Sequence, residues 1–307
     1  MSVKTAIVLG APRSGTTFLM SALSAHPALE CVTGNLLPVG VAHLAAQDLP
    51  EGVREALERS LRVALGDYLQ SSLYHSRAAA LRKWWIAGRR PSGLAAAANG
   101  RRAERTLVYK EPFLAFAPAL AYRALPDARL LYIFRDGRDV ADSLVRSYDV
   151  LTDEKLADLD SNELHIGRRV GGRNVPWWVS EADGGAFLDS SPYVRAVWMW
   201  REMVRRCGDF FARRDVVAGG RVLHVRYEAL IEDPLAQGQA IAAHLGEQLT
   251  PTVRRRLRGA HPRSVGKHGA RERAELASAE RIAAAELAAL GYPLSSAADG
   301  PRAMRRA

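Results

Sequence analysis

The sequence predicts an α/β fold, with a central parallel β-sheet flanked by helices on both faces. Short apolar runs alternate with segments whose apolar residues recur every three or four positions, the pattern of parallel strands joined by crossover helices. The segment RLLYIF at 129–134 is almost continuously apolar, as expected of a strand buried on both faces. With 307 residues, of which 48% are hydrophobic, the chain can build one large core. We therefore predict a single domain over residues 1–307.

Five strands are predicted from short apolar runs, at 6–9, 30–32, 107–109, 129–134 and 222–225. The helices are predicted from apolar residues at helical spacing, with Ser191 and Pro192 as a start signal for one of them. One helix begins at residue 16, and the others are placed at 36–49, 51–74, 113–124, 140–148, 192–211 and 272–290. Residues 86–105 and 149–190 break both periodicities, which predicts an exposed connection and an irregular segment.

The turn between the first strand and the first helix reads GAPRSGTT, residues 10–17. Glycines let backbone amides approach an anion, and a helix N-terminus adds a partial positive charge. The spacing is close to the P-loop G-x-x-x-x-G-K-[ST], but Thr16 stands at the position of its lysine. We predict a phosphate site in a P-loop-like three-layer fold, formed by backbone amides and by loop residues. These are Arg13, Ser14, Gly15, Thr16 and Thr17.

A second phosphate site is predicted at the end of the fourth strand. Arg135 follows this strand directly, and the carboxyl ends of strands are where open α/β sheets bind ligands. Ser143 lies two helical turns further on, so a guanidinium fork and a hydroxyl can share one phosphate. The alternative is a surface arginine paired with Asp136 or Asp139.

PRSGTT and FRDGRDVADSLVRSY resemble the 5′-phosphosulfate loop and the 3′-phosphate motif of sulfotransferases that use 3′-phosphoadenosine 5′-phosphosulfate (PAPS). The form of the loop is closest to tyrosylprotein sulfotransferases and to the bacterial sulfotransferases related to them. The resemblance implies that Arg135 and Ser143 hold the 3′-phosphate of PAPS. It covers residues 5–27, 107–148, 222–234 and 261–292.

Three further segments resemble this family. VYKEP is similar to a K-D-P motif whose lysine stabilises the transition state, which implies that role for Lys110. VRYEAL is similar to a V-R-Y-E segment whose tyrosine touches the nucleotide, which implies that role for Tyr227. SVGK resembles a loop that closes over the donor, which implies that Ser264 or Lys267 reaches the phosphosulfate.

The general base is where the sequence departs from the family pattern. Tyrosylprotein sulfotransferases have a glutamate seven residues after an H-P pair, and Gly34 stands at that position. A base must come within hydrogen-bond reach of the acceptor hydroxyl. The candidates are His43, whose unperturbed pKa suits the task, Glu111, which follows Lys110, and Glu30.

The resemblance implies an enzyme that transfers a sulfuryl group from PAPS to an acceptor hydroxyl or amine and releases PAP, without a metal. The alternatives are a P-loop nucleotide kinase, against which the missing loop lysine argues, and a non-catalytic nucleotide-binding protein. The two cysteines have no metal-ligand spacing to histidines.

The composition bears on partners and location. The net charge is +10, but 38 of the 43 basic residues are arginines, a bias of GC-rich genomes as much as a sign of an anionic partner. We find no nucleic-acid module, no signal-peptide pattern and no apolar run of about 18 residues. We expect a cytoplasmic protein that binds neither nucleic acid nor membrane.

The acceptor site is expected in the two ranges outside the core pattern, 28–105 and 149–190. The second range holds Trp177 and Trp178 and several glycines, which suggests an acceptor-binding lid with the His43 segment. The alternative is a hydrophobic plug that anchors the segment. The acceptor, a small molecule or a biopolymer, is not identified.

Overall fold

The computed structural model describes residues 4–33, 39–70, 106–148, 150–158, 167–260 and 262–295. The described chain divides into two compact units. The first comprises Met1–Arg135 and Arg206–Pro262, and the second comprises Asp136–Arg205 and Arg263–Ala307.

The first unit contains a five-stranded sheet in which every neighbouring pair is parallel. Its strands are β1 (Thr5–Leu9), β2 (Leu29–Thr33), β3 (Thr106–Lys110), β4 (Arg129–Phe134) and β7 (Val222–Arg226), in the order β2-β3-β1-β4-β7. All five strands predicted from the sequence are confirmed, each within two residues. Because β1 is central, the segment that follows it lies between the carboxyl ends of β3 and β4.

Helices cover both faces of this sheet, as predicted. They are α1 (Thr16–Leu23), α2 (Val39–Ala45), α3 (Glu51–Gln70), α4 (Pro118–Ala124), α9 (Arg214–Ala218), α10 (Tyr227–Glu232), α11 (Pro234–His244) and α12 (Pro251–Leu257), with a 3₁₀ helix at Pro112–Phe116. Alternate strand residues such as Val8 and Leu131 pack in one core with side chains of α1, α11 and α12. On the opposite face, the ring of Tyr132 packs against Phe211 at 5.3 Å.

The second unit is built around helices and one antiparallel hairpin. Its helices are α5 (Gly137–Ser147), α6 (Asp153–Ala157), α7 (Gly184–Leu188), most of α8 (Pro192–Phe211) and α13 (Arg273–Ala289), with 3₁₀ helices at Pro262–Ser264 and Lys267–Ala270. The hairpin pairs β5 (Gly167–Val170) with β6 (Arg173–Pro176).

Three predictions of secondary structure need correction. The single helix predicted at 113–124 is two helices, because Pro118 disfavours the helical conformation at Ala117, whose φ and ψ are −138° and 60°. The helix predicted from residue 140 begins at Gly137, since the Asp136 side chain accepts a hydrogen bond from the amide of Arg138 and caps it.

The range 149–190, predicted to be irregular, holds the β5–β6 hairpin, α6 and α7. Gly171 and Gly172 form its two-residue turn with φ of 55° and 77°, the backbone of a type I′ turn. The exposed connection predicted at 86–105 lies outside the described residues, as do residues 36–38 and 71–74 of the helices predicted at 36–49 and 51–74.

Within the described ranges, no helix is long and apolar enough to cross a lipid bilayer. The same part of the chain holds no cluster of three or more His, Cys, Asp or Glu side chains that could bind a metal ion.

Candidate active site

The loop between β1 and α1 depends on two glycines. Gly10 has a φ of 151°, and a Cβ there would lie 2.0 Å from the carbonyl oxygen of Ile133. Gly15 has a φ of 95°, and a Cβ there would lie 2.3 Å from the ring of Tyr227. Both positions therefore exclude a side chain by space and by backbone conformation.

Arg13 adopts the left-handed region as well, with a φ of 72°, although it has a side chain. Such a residue costs free energy and is concentrated at functional sites. Its carbonyl oxygen accepts a hydrogen bond from Nη1 of Arg135 at 3.2 Å, and its own side chain is exposed. The strained residue therefore connects the first predicted phosphate motif to the arginine of the second.

The start of α1 is rich in hydrogen-bond donors. The first amides of a helix have no carbonyl partner within the helix, and they carry its partial positive charge. The hydroxyl of Ser14 is buried and has no hydrogen-bond partner among the described residues. Thr17 is exposed, whereas Thr16 is buried. The loop therefore presents amides, a hydroxyl and the Arg13 guanidinium, the donor set that suits a phosphate or sulfate group.

Lys110 reaches this loop from the next strand. It is the last residue of β3, and its Nζ lies 3.4 Å from Oγ1 of Thr17. The sequence separation of 93 residues is closed by the pairing of β1 with β3. The lysine predicted to act on the transferring group thus stands beside the predicted phosphate loop.

Arg135 reaches the loop from the opposite side, directly after β4. Its guanidinium carbon lies 4.8 Å from the centre of the Tyr227 ring, whose edge also packs against Gly15. Tyr227 is therefore a spacer between the loop and Arg135, in addition to any contact with a nucleotide. The alternative pairing partners have other contacts: Asp136 pairs with Arg138 at 2.7 Å, and Asp139 pairs with His268 at 2.8 Å.

The other predicted donor residues belong to the second unit. Ser143 is half-buried on α5, Ser264 is half-buried at the end of a 3₁₀ helix, and Lys267 is exposed at the start of the next one. Sequence reasoning named Asp139 only as an alternative partner of Arg135, whereas its carboxylate accepts hydrogen bonds from the backbone of the Lys267 segment. Only the tertiary structure reveals this contact, because the partners are more than 120 residues apart.

The three candidate bases differ in placement. Glu111 is buried, and it accepts hydrogen bonds from the Tyr109 hydroxyl at 3.0 Å and from the Phe113 amide at 3.2 Å. Burial raises its pKa. Its carboxylate caps the 3₁₀ helix that follows Lys110, which is a structural task. Glu30 lies three residues before the end of β2, and hence about 10 Å back from the strand ends.

The third candidate base, His43, is half-buried. It lies on α2, which packs against the 3₁₀ helix at Pro112–Phe116. Burial, and then the charge of Arg206, lowers the pKa of His43, which favours the neutral ring. A neutral imidazole can accept a proton.

The predicted acceptor segment has one buried and one half-buried tryptophan. Trp178 is buried and packs edge-on against Phe187 at 5.5 Å, whereas Trp177 is half-buried. Arg195, itself buried, donates to the carbonyl oxygens of Leu151 and Phe187. These contacts favour the plug over the lid for Trp178.

A parallel sheet with a glycine-dependent, donor-rich loop after its central strand defines the class, an α/β protein whose loop suits a phosphate or sulfate group. A model of the sulfotransferase family matches residues 6–189, more than half of the chain. The chain therefore belongs to the sulfotransferase family. The matched range includes the loop, Lys110, Arg135 and Ser143.

Of the solved structures to which this chain is similar, one supports the fold with a TM-score above 0.5. The sulfotransferase domain of the olefin synthase of Synechococcus PCC 7002 is 19% identical, with 95% of this chain and 96% of that chain covered and a TM-score of 0.53. The sulfotransferase domain of the curacin biosynthetic pathway is 16% identical, with 96% and 99% covered and a TM-score of 0.49. A sulfotransferase from Alicyclobacillus acidocaldarius is 20% identical, with 96% and 98% covered and a TM-score of 0.43. No curated protein sequence matches the chain.

Proposed function

We propose that this sulfotransferase uses PAPS as its donor and transfers the sulfuryl group to a hydroxyl or amine of its acceptor, releasing PAP. The observation that carries the proposal is the junction at the centre of the sheet. The loop after β1 contacts both Lys110 and Arg135, two cations that lie at the carboxyl ends of the neighbouring strands β3 and β4. A sulfuryl donor with two phosphate groups needs cations of this kind at both ends.

The loop residues fit the 5′ end of PAPS. The amides at the start of α1, the Arg13 guanidinium and the orphaned Ser14 hydroxyl supply donors for a phosphosulfate. For the 3′-phosphate we propose Arg135 and Ser143, the two residues that the family resemblance implies. A nucleoside triphosphate kinase needs a lysine where Thr16 stands, and the family match also argues against that alternative.

PAPS supplies an activated sulfuryl group whose bond to the phosphate oxygen breaks as the bond to the acceptor oxygen or nitrogen forms. Negative charge then develops on the leaving phosphate oxygen. Lys110 is placed beside the loop to stabilise that charge, an interaction stronger in the transition state than in the ground state. The proton of the acceptor goes to a base, for which we propose the neutral His43 ring.

The acceptor is proposed only by class, as a small molecule or a biopolymer with a free hydroxyl or amine. The residues that face it come from the ranges 28–105 and 149–190 in this proposal. From the composition, we also propose that the protein is cytoplasmic and that it binds neither nucleic acid nor membrane.

The test is a calorimetric titration with PAP, 5′-AMP and ATP. We expect PAP to bind much more tightly than 5′-AMP, because only PAP carries the 3′-phosphate. Arg135→Ala should remove most of this preference, about 1.5–3 kcal/mol for a charged hydrogen bond. Arg129→Ala is the matched control, since Arg129 begins the same strand at its opposite end. Equal affinity of the unchanged protein for PAP and 5′-AMP would refute the proposal.

A further inference from the structure

One carboxylate in the second unit holds the segment that carries Lys267. Asp139 lies on α5 and is almost fully buried. Its Oδ2 accepts a hydrogen bond from the amide of Gly266 at 2.7 Å, and its Oδ1 accepts one from the amide of His268 at 3.0 Å. The Nδ1 atom of His268 lies 2.8 Å from Oδ1 as well. A single side chain therefore makes three contacts with two residues of one loop, Gly266 and His268.

The loop in question carries Lys267. This residue lies between the two amides that Asp139 holds, so its backbone is fixed on both sides. Its side chain is exposed and has no hydrogen bond or ion pair with another described residue. Gly266 has a φ of 76°, which turns the chain into the 3₁₀ helix that begins at Lys267. The backbone is thus fixed while the ammonium group stays available.

The same carboxylate places this loop beside Ser143. Asp139 and Ser143 are four residues apart on α5, so their side chains lie on one face of the helix, one turn apart. The 3₁₀ helix at Lys267–Ala270 packs against α5. The loop with Ser264 and Lys267 is therefore docked on the face of α5 that presents Ser143.

The charge of Asp139 is present throughout the neutral range. Burial alone would raise its pKa, but the hydrogen bonds with the His268 ring and with the amides of His268 and Gly266 lower it to about 2. Charge-assisted hydrogen bonds are stronger than neutral ones. An asparagine would keep one acceptor oxygen but would turn an NH₂ group towards an amide N–H.

We propose that Asp139 is a positioning residue for donor binding, which holds the Ser264–Lys267 loop in the place where Lys267 contributes to the affinity for PAP. This inference rests on the proposed function, because it takes PAP as the ligand. It assigns no contact with PAP to Asp139 itself. Asp139 acts through the backbone of the loop.

The experiment is a double-mutant cycle on PAP affinity, measured by calorimetry. We expect Lys267→Ala to weaken PAP binding about tenfold in the unchanged protein, the size of one charge-assisted contact. We expect Asp139→Asn to weaken it by a similar factor. In the Asp139→Asn background, Lys267→Ala should then cost less than about twofold, because the lysine is already displaced. Equal costs of Lys267→Ala in the two backgrounds, or no cost in either, would overturn the proposal.

Hydrogen exchange gives a readout without ligand. The amides of Gly266 and His268 should be protected in the unchanged protein and should exchange at least about tenfold faster in Asp139→Asn. Unchanged protection would also overturn the proposal.

A second variant covers the case in which Asp139→Asn fails to fold. Gly266→Ala disturbs the same loop through its positive φ, with open space around the added Cβ and with α5 intact. It should weaken PAP binding severalfold. Gly269→Ala is the matched control, since this glycine has equally open space and no positive φ, and its PAP affinity should be unchanged. Equal affinities for these two variants would contradict the proposal.

The outcomes separate this inference from the proposed function. If the unchanged protein does not prefer PAP to 5′-AMP, the proposed donor is wrong. If that preference holds but the cycle is additive, only the role of Asp139 is wrong.

Discussion

Two connecting segments of the chain differ in how their polar groups find hydrogen-bond partners. The loop Gly10–Thr17 uses positive φ angles at Gly10, Arg13 and Gly15 to shape its turn, and it leaves amides and a buried serine hydroxyl as spare donors. The segment 150–158 and 167–190 is held instead by Arg195. This buried side chain donates to the carbonyl oxygens of Leu151, Phe187 and Leu188 and to the carboxylate of Asp153.

The difference shows where a ligand can be bound. In the loop, the buried Ser14 hydroxyl has no hydrogen-bond partner among the described residues, so a bound anion can complete its hydrogen bonding. Around Arg195, the carbonyl acceptors are satisfied from within the unit. Changes in the first region should therefore affect binding and turnover, and changes in the second should affect stability.

The largest expected effect is on stability. Arg195→Met should lower the free energy of unfolding by about 3 kcal/mol, because three hydrogen bonds from a buried guanidinium to carbonyl groups are lost, each worth about 0.5–1.5 kcal/mol. Chemical denaturation measures this loss. Arg173→Met is the matched control, since Arg173 also donates to Leu188 and Asp153 but is half-exposed, and it should cost less than about 1 kcal/mol. Equal losses in the two variants would contradict the central role of Arg195.

Substitutions of Trp177 and Trp178 test whether the same segment serves stability or acceptor binding. Trp178→Ala should destabilise the protein by about 3–5 kcal/mol, as expected for a buried tryptophan that packs on Phe187. Trp177→Ala should cost much less, because Trp177 is half-buried. Thermal unfolding and the acceptor KM should be measured together. A normal melting temperature with a raised acceptor KM for Trp178→Ala would instead favour the hypothesis of an acceptor-binding lid.

Lys110 tests the loop region. Lys110→Ala should lower kcat about 10²–10³-fold, since its main partner charge develops in the transition state, while PAP affinity and melting temperature stay nearly the same. Steady-state kinetics and PAP titration separate these effects. Lys4→Ala, at the opposite end of the β1–β3 pair, is the control and should be silent. Unchanged turnover would remove Lys110 from the mechanism.

The smallest expected effect concerns pH. Because the pKa of His43 is lowered, the neutral ring persists further to the acid side of pH 7, so kcat should be level near pH 7 and fall at lower pH, by up to about tenfold per pH unit. His43→Ala should lower the rate and abolish this acid limb. His244→Asn is the control, because His244 contacts carbonyl oxygens at the start of β4 and before β7. Full activity of His43→Ala at neutral pH would exclude it as the base.

The sheet and its cations could be predicted from the sequence because they follow local rules. Apolar runs locate parallel strands, and residues after adjacent strands meet at one edge of the sheet. The hairpin was missed since its strands are short and arginine-rich, although Gly171-Gly172 is a recognisable turn signal.

The remaining features depend on tertiary contacts. The left-handed conformation of Arg13 could not be predicted, because arginine rarely adopts a positive φ. The contacts of Asp139 could not be predicted because its partners lie more than 120 residues further along the chain. Those of Arg195 could not be predicted because it donates to backbone carbonyl groups, which every residue has. The general base stays a prediction. The pKa of His43 depends on its burial and on the charge of Arg206, and both are set by the tertiary structure.

The contacts from the loop to Lys110 and to Arg135 span 93 and 122 residues of sequence. Contacts of such range form late in folding, since the chain must first close large loops and pair parallel strands. A partly folded chain therefore lacks the junction of this loop with Lys110 and Arg135. If the proposed donor binds at this junction, it adds its binding energy only to the completed sheet, and its concentration then also sets the fraction of native protein.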